Sequence, residues 1–381
     1  MDARSHDGRC SGSTGHFLTL LRHGRGPFPA TMHILLYEWV TGGGLVQQSG
    51  KLPTSLLVEG SAMTAALAAD FAQIPESRVS VLRDVRLHDL SLPQCDIVDV
   101  DSLEAWRAEF DQIAAIADHT MIIAPEFDGL LRQAVERGRQ AGGNLLNASD
   151  EFVVLTGDKQ SAAEQLAAAG VPTPRAAVID ADQARLPRDF SYPAVIKPRD
   201  GAGSQHMLLV EGPDDEPPPY PWPRRIEEFC PGRAASVAAL CGSAGPIWLP
   251  PCWQDLSGDG RFTYRGGAII SDEHLAARAH SLAARALAAL PPAHGFVGVD
   301  LVLGDCPEGG ADVVIEINPR LTTSYVGLRR AVAENLATAL IEACLGRSPV
   351  VTLADRSIEF SSDGRTWRAA SGGTGFIGAT R

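Results

Sequence analysis

The sequence lacks the means to build a covalent or metal-clamped framework. Its seven cysteines, Cys10, Cys95, Cys230, Cys241, Cys252, Cys306 and Cys344, include no C-x-x-C pair. An odd, scattered set excludes a disulfide scaffold, argues against a structural zinc site and fits a reducing cytoplasm. No apolar run approaches the roughly 20 residues of a membrane span. Positive charge is short as well: 33 Lys and Arg stand against 46 Asp and Glu, a formal net charge of -13. That balance argues against a general nucleic-acid or anionic-membrane binder, but leaves room for a local basic pocket. No internal repeat is present. G-x-x-x-x-G-K-[ST] does not occur, which excludes a P-loop. Gly42-Gly43-Gly44 lacks the G-x-G-x-x-G spacing and the acid on a second strand that a dinucleotide fold requires.

What is there suits an ordinary globular chain. With 381 residues, 45% hydrophobic and 21% charged, it can bury a sizeable core divided over two or three domains. Residues 1–31 are rich in Arg, His, Gly and Ser, and we expect a disordered extension. From 32 to 148, strand-like runs ("HILLYEWV", "VSVLRDV", "CDIVDV", "HTMIIAP") alternate with helical spacing, the pattern of a parallel sheet with crossover helices. Residues 149–360 read as α+β, with a smaller lobe at about 170–235 and one long helix over 324–345. The segment from 246 to 267 has no regular pattern, and 361–381 reads as a flexible tail.

Two strands carry polar residues where a core strand should not. In "VVIEINPRLTTSY", Glu316, Asn318 and Arg320 share one face by the two-residue period, leaving Val313, Ile315 and Ile317 for the core. In "GFVGVDLVL", Asp300 opposes its apolar neighbours. Paired as a hairpin, the strands would bring Asp300 beside Glu316 and Asn318, an oxygen set that suits Mg²⁺ or Mn²⁺. A solvated strand face is the alternative. In "YPAVIKPRDGAGSQHM", Lys197 sits inside an apolar strand ahead of Gly201, Gly203 and Ser204, where backbone N–H groups could meet phosphates. Lys159 opens a helix, where the dipole disfavours a cation, so it is either solvated or held by an anion. "RIEEFCPG" places Glu227, Glu228 and Cys230 before a turn, either an adenine-binding connector or a plain hairpin.

In this order, "DK" at 158–159, "VIKPRDGAGS", "IEEFCPG", "GVDLVL" and "VIEINPR" resemble the ATP-grasp superfamily over residues 149–345. The resemblance implies an ATP-grasp fold behind an N-terminal parallel-sheet pre-ATP-grasp domain, with the nucleotide between two lobes. It implies that Lys159 and Lys197 touch ATP phosphates, and that Glu227, Glu228 and Cys230 line adenine, partly through the backbone. Asp300, Glu316 and Asn318 would hold the metal, and Arg320 would stabilise phosphate oxygens. An acid that many relatives carry after the turn is replaced here by Arg233-Ala234-Ala235, which removes the expected ribose contact. "ILLYEWVTGGGL", "LLVEGSAMTAALAADF" and "INPRLTTSYVGLR" look like the tyramine–glutamate ligase branch, linked to methanofuran-type cofactors. The implied activity joins small-molecule carboxylate and amine substrates through an acyl phosphate, in a possible homodimer, with another amino-acid ligase or a non-catalytic nucleotide sensor as the alternatives.

Overall fold

The computed structural model describes residues 31–369 apart from 182, 184 and 202; the expected N-terminal extension lies outside them, save Thr31. The first unit alternates as its sequence pattern predicts. Strand β1 (Met32–Glu38) leads to helix α1 (Thr54–Ala72) and strand β2 (Ser77–Asp84). Strand β3 (Asp96–Val100), helix α2 (Leu103–Ile116), strand β4 (His119–Ile123) and helix α3 (Leu130–Gln140) follow. The strands form a four-stranded parallel sheet ordered β3-β2-β1-β4. Ser102 caps α2 by accepting from the Ala105 N–H. The glycine triplet after β1 serves close packing. A Cβ on Gly42 would stand 2.6 Å from the Glu38 carbonyl, and one on Gly44 2.3 Å from Trp39 Nε1.

Helices α4 (Asp150–Gly157) and α5 (Lys159–Ala168) lead to a small antiparallel sheet. Its strands are β5 (Ala176–Ile179), β6 (Ala194–Pro198), β7 (Leu208–Val210) and β8 (Arg224–Glu228), ordered β5-β8-β6-β7. It has its own core of Ile179, Leu186, Ala194, Ile196, Val210 and Ile226.

The third sheet starts with β9 (Arg233–Gly242), β10 (Gly245–Trp248), β11 (Cys252–Leu256) and β12 (Tyr264–Ile269). Helix α6 (Glu273–Ala288), strands β13 (Gly295–Leu303) and β14 (Val313–Asn318), and helices α7 (Tyr325–Ala331) and α8 (Leu336–Cys344) come next. Strands β15 (Ile358–Ser361) and β16 (Thr366–Arg368) complete it, in the order β14-β13-β9-β11-β12-β15-β16 with β10 beside β9. The α/β plus α+β architecture expected from the sequence is therefore present.

Three sequence expectations need correction. The segment 246–267 is not irregular but supplies β10 and β11 and the start of β12; their glycines, prolines and bulge hide the alternation. The tail is not free from 361 onward. Ile358–Arg368 adds two strands to the sheet edge through the Phe360–Gly267 and Phe360–Thr366 pairs, and 370–381 lies outside the described residues. The single helix over 324–345 is two helices. Asn335 breaks it, capping α8 through the Thr338 N–H while its Nδ2 donates 2.9 Å to the Asp70 carbonyl.

That last contact belongs to the joint between the first unit and the large sheet. Asp70 on α1 is 4% exposed. It accepts from Tyr325 Oη at 2.6 Å, from Arg329 Nε at 2.8 Å, and from Arg329 Nη2. Residues of both units share two hydrophobic clusters, so the first unit is packed into the rest. Asp70→Ala strands a guanidinium in this joint and should cost about 3–5 kcal/mol in urea unfolding. A loss under about 1 kcal/mol would show the ion pair to be incidental. Among the described residues no helix is long and apolar enough to cross a membrane.

Candidate active site

Strands β13 and β14 pair antiparallel, with Asp300 opposite Glu316 and Gly298 opposite Asn318. The register shifts between Asp300 and Leu301, so Ile315 is an extra residue on β14. This bulge corrects the expected core face. Val314 and Ile317 are buried, while Val313 and Ile315 are only half-buried, because the inserted residue resets the alternation. Glu316 and Asn318 keep the same side. Asn318 Nδ2 donates to Asp300 Oδ2 at 3.0 Å, and Gln254 Nε2 donates to Oδ1 at 3.0 Å. Burial and the adjoining Glu316 push the Asp300 carboxyl up to about 7. Burial also raises Glu316, but the ammonium groups of Lys159 and Lys197 overcome it and hold this carboxyl below its ordinary value.

Lys159 is not a solvated cation. Asp158 caps α5 through the Ser161 N–H, and the Lys159 backbone N–H donates to the Arg199 carbonyl at 2.8 Å. Its ammonium then reaches the Gly201 carbonyl at 2.5 Å and lies 3.3 Å from Glu316 Oε2. One side chain thus joins the glycine loop to the acidic edge of the large sheet. The loop itself is unusual in backbone: Gly203, Ser204 and His206 all have φ near +60° (63°, 57° and 57°). For Ser204 and His206 that is a strained conformation, of the kind found at ligand clamps.

Lys197 is fully buried on β6, 2.6 Å from Glu227 Oε1 on the neighbouring β8. Glu227 Oε2 also takes Arg225 Nε at 2.9 Å, and Arg225 Nη1 donates to Gln160 Oε1 at 2.5 Å. The Glu227 carboxylate therefore compensates buried cations, while the Glu228 carboxylate turns to Arg175 at 2.8 Å. Both carboxylates are ion-paired, which leaves the backbone part of the expected adenine lining without a competing partner role. Cys230 Sγ lies 3.6 Å from the Glu228 carbonyl. Burial, then Glu227 and Glu228, push its thiol up to about 11, so it is a poor nucleophile. Cys230→Ala should leave turnover within about twofold of the parent, since only packing is lost; a collapse of turnover would assign the thiol a chemical role. Arg233, where an acid was missing, stacks over Trp253 at 4.0 Å.

Arg320 projects from beyond β14 and meets Glu126 Oε1 at 2.9 Å, with Glu59 and Glu316 also nearby in charge. Sequence reasoning missed Glu126, Gln254 and Thr323. Only Glu126 left a trace: it follows "IIAP" at the carboxyl end of a predicted parallel strand, where ligands gather. Lys159, the glycine loop, Asp300, Glu316, Asn318 and Arg320 thus come together, with Lys197 behind them. Glu228 ends β8 and Cys230 lies just beyond it, near enough for the Lys197 charge to act on its thiol.

Comparison with known proteins matches an ATP-grasp domain at residues 156–324 and a pre-ATP-grasp domain at residues 77–153. The chain belongs to the ATP-grasp proteins. Tyramine–L-glutamate ligase of Methanocaldococcus fervens is 23% identical over 300 residues, 78% of this chain and 89% of the relative. The enzyme of the same name from Methanocaldococcus jannaschii is 22% identical, covering 78% of this chain and 84% of its own. A crystal structure of an ATP-grasp superfamily protein from Archaeoglobus fulgidus superposes with a TM-score of 0.61 at 25% identity, over 82% of this chain and 89% of that one. An L-amino acid ligase from Bacillus licheniformis shares the fold at a TM-score of 0.57 and 15% identity, over 84% and 75%. This ATP-grasp chain accordingly stands among ATP-dependent carboxylate–amine ligases.

Proposed function

We propose that this ligase activates L-glutamate as an acyl phosphate and passes it to a primary amine such as tyramine, releasing ADP and phosphate. The observation that carries the reading is the Lys159 ammonium, held between Gly201 of the glycine loop and Glu316 of the acidic edge. A phosphate chain laid along the loop would meet that cation, Lys197 and Arg320 together, and charge neutralisation is most of what phosphoryl transfer asks of a protein. The archaeal tyramine–glutamate ligases, matched across most of both chains, supply the two substrates.

The donor chemistry fits a divalent cation. Asp300 and Glu316 face each other, among the described residues Lys159 is the ion-pair partner of Glu316, and burial together with the adjoining Glu316 raises the Asp300 carboxyl. Among the described residues no three His, Cys, Asp or Glu converge, so Asn318 and phosphate oxygens would complete the shell around Mg²⁺. The ion would draw charge from the transferred phosphoryl group, and Asn318 would orient Asp300 toward it. Glu227 and Arg225 keep Lys197 aligned, and no protein nucleophile takes part.

Two measurements test this reading. ADP release should appear with L-glutamate plus tyramine and not with either alone; a screen in which no acid–amine pair supports release would return the sensor alternative. Chelation with EDTA should abolish release and added Mg²⁺ should restore it. Full turnover in EDTA would remove Asp300, Glu316 and Asn318 from metal binding.

A further inference from the structure

Strands β7 and β8 both run antiparallel to β6, so they are parallel to each other and need a crossover. The connector, residues 211–223, starts where Val210 pairs with Ala194 and ends where Arg224 pairs with Pro198. It therefore carries the chain back to the end of β6 from which the glycine loop leaves. A helix commonly makes such a return. Pro217, Pro218, Pro219, Pro221 and Pro223 preclude one here, since each fixes φ and lacks an N–H. A run of this kind is extended and semi-rigid.

The run is anchored at both ends. Asp215 Oδ2 accepts from the backbone N–H groups of Glu211 at 2.6 Å and Gly212 at 3.3 Å, closing a turn behind β7. Arg224 Nη1 donates to the Pro218 carbonyl at 3.2 Å, and its guanidinium lies 6.0 Å from the centre of the Tyr220 ring. The two aromatic residues of the connector differ in what they meet. Trp222 is 62% exposed, whereas Tyr220 is half-buried, its ring centre 5.1 Å from that of the His206 imidazole. Burial and then the carboxylates of Asp200 and Asp128 raise the Tyr220 hydroxyl, which stays neutral beside the start of the loop.

His206 is where the glycine loop needs support. Its first part is held by Lys159 on the Gly201 carbonyl and by the Asp128 N–H, which donates to Asp200 Oδ2 at 3.1 Å. Further on, Ser204 and His206 sit at positive φ, a conformation that persists in a residue other than glycine only where its neighbours impose it. Tyr220 is such a neighbour to His206.

We propose that the proline-rich connector is a strut for the glycine loop, and that Tyr220 is a positioning residue that holds His206, and through it the face the loop turns to phosphate. The inference rests on the reading of that loop as a phosphate-binding segment. It gives the five prolines a task beyond joining two strands: a flexible connector could span the same ends but could not brace the loop.

The full chain tests this with Mg²⁺ present, using ATP and adenosine as separate calorimetric probes, and amide hydrogen exchange over residues 203–207 without nucleotide. In Tyr220→Ala, ATP affinity should fall about 3- to 10-fold, the worth of one aromatic contact applied to the population of the competent loop. Adenosine, which has no phosphate, should bind as it does to the parent, and exchange over 203–207 should quicken by a similar factor. Tyr220→Phe keeps the ring and should restore parental values, and Trp222→Ala should match the parent throughout. The proposal is overturned by unchanged exchange and ATP affinity in Tyr220→Ala, by an equal loss for adenosine, or by Tyr220→Phe or Trp222→Ala as impaired as Tyr220→Ala. If the parent binds no ATP, yet exchange quickens in Tyr220→Ala and recovers in Tyr220→Phe, the strut stands and the phosphate reading alone fails.

Discussion

Glu316→Ala should lower ADP release by at least about a thousandfold, the scale of losing one preorganised electrostatic group from a buried reaction site. Glu316 performs two tasks at once. It stands opposite Asp300 as the second carboxylate of the proposed metal edge, and it fixes the Lys159 ammonium at 3.3 Å. Alanine removes both, and among the described residues the Gly201 carbonyl is the partner left to the Lys159 ammonium. The fold should survive, since Val314 and Ile317 supply the core contacts of β14 and Glu316 is only half-buried. Glu316→Gln separates the tasks: it keeps volume and hydrogen bonding but loses charge, and should be nearly as inactive. Either variant retaining more than about a tenth of parental turnover, measured by coupled ADP release, would sink the site assignment.

Lys197→Met should lower kcat by roughly a hundredfold or more and weaken ATP binding, with a smaller effect on stability. Removing one member of a buried ion pair usually costs about 3–5 kcal/mol because the other charge is stranded. Here Glu227 keeps Arg225 at 2.9 Å, so its carboxylate is not left alone, and methionine fills the volume of the lysine stem. The expected signature is a large kinetic loss with a modest shift in the urea midpoint. A chain that unfolds readily but, when folded, turns over normally would make Lys197 a structural cation, paired with Glu227 for the sake of β6 and β8.

Much of the site is legible because its parts are local. Lys197 stands out as a cation inside an apolar strand, and Asp158 caps the helix that Lys159 opens. The Asp300–Glu316 pair follows from two strands consecutive in the sequence, joined by the loop 304–312, whose closure costs little entropy. Other parts were not legible. Glu227 and Glu228 look alike in sequence, yet one is buried against Lys197 and the other reaches Arg175, because neighbouring strand positions face opposite sides. Ile317 is buried as expected, but the bulge at Ile315 put Val314 in the core in place of Val313 and Ile315, and no two-residue pattern announces an inserted residue.

The sequence by itself determined the alternation of strands and helices, the glycine loop, the capped helix starts and the polar side of β14. These depend on side-chain periodicity and on residues within a few positions of each other. Only the tertiary structure decided that Arg320 meets Glu126, that Glu59 meets Thr323, and that Asp70 binds α7 to α1. Each of those contacts joins residues about two hundred positions or more apart. Their side chains carry no mark of the partner, because a carboxylate's preference for a guanidinium or hydroxyl is satisfied equally well by any that the packing brings near.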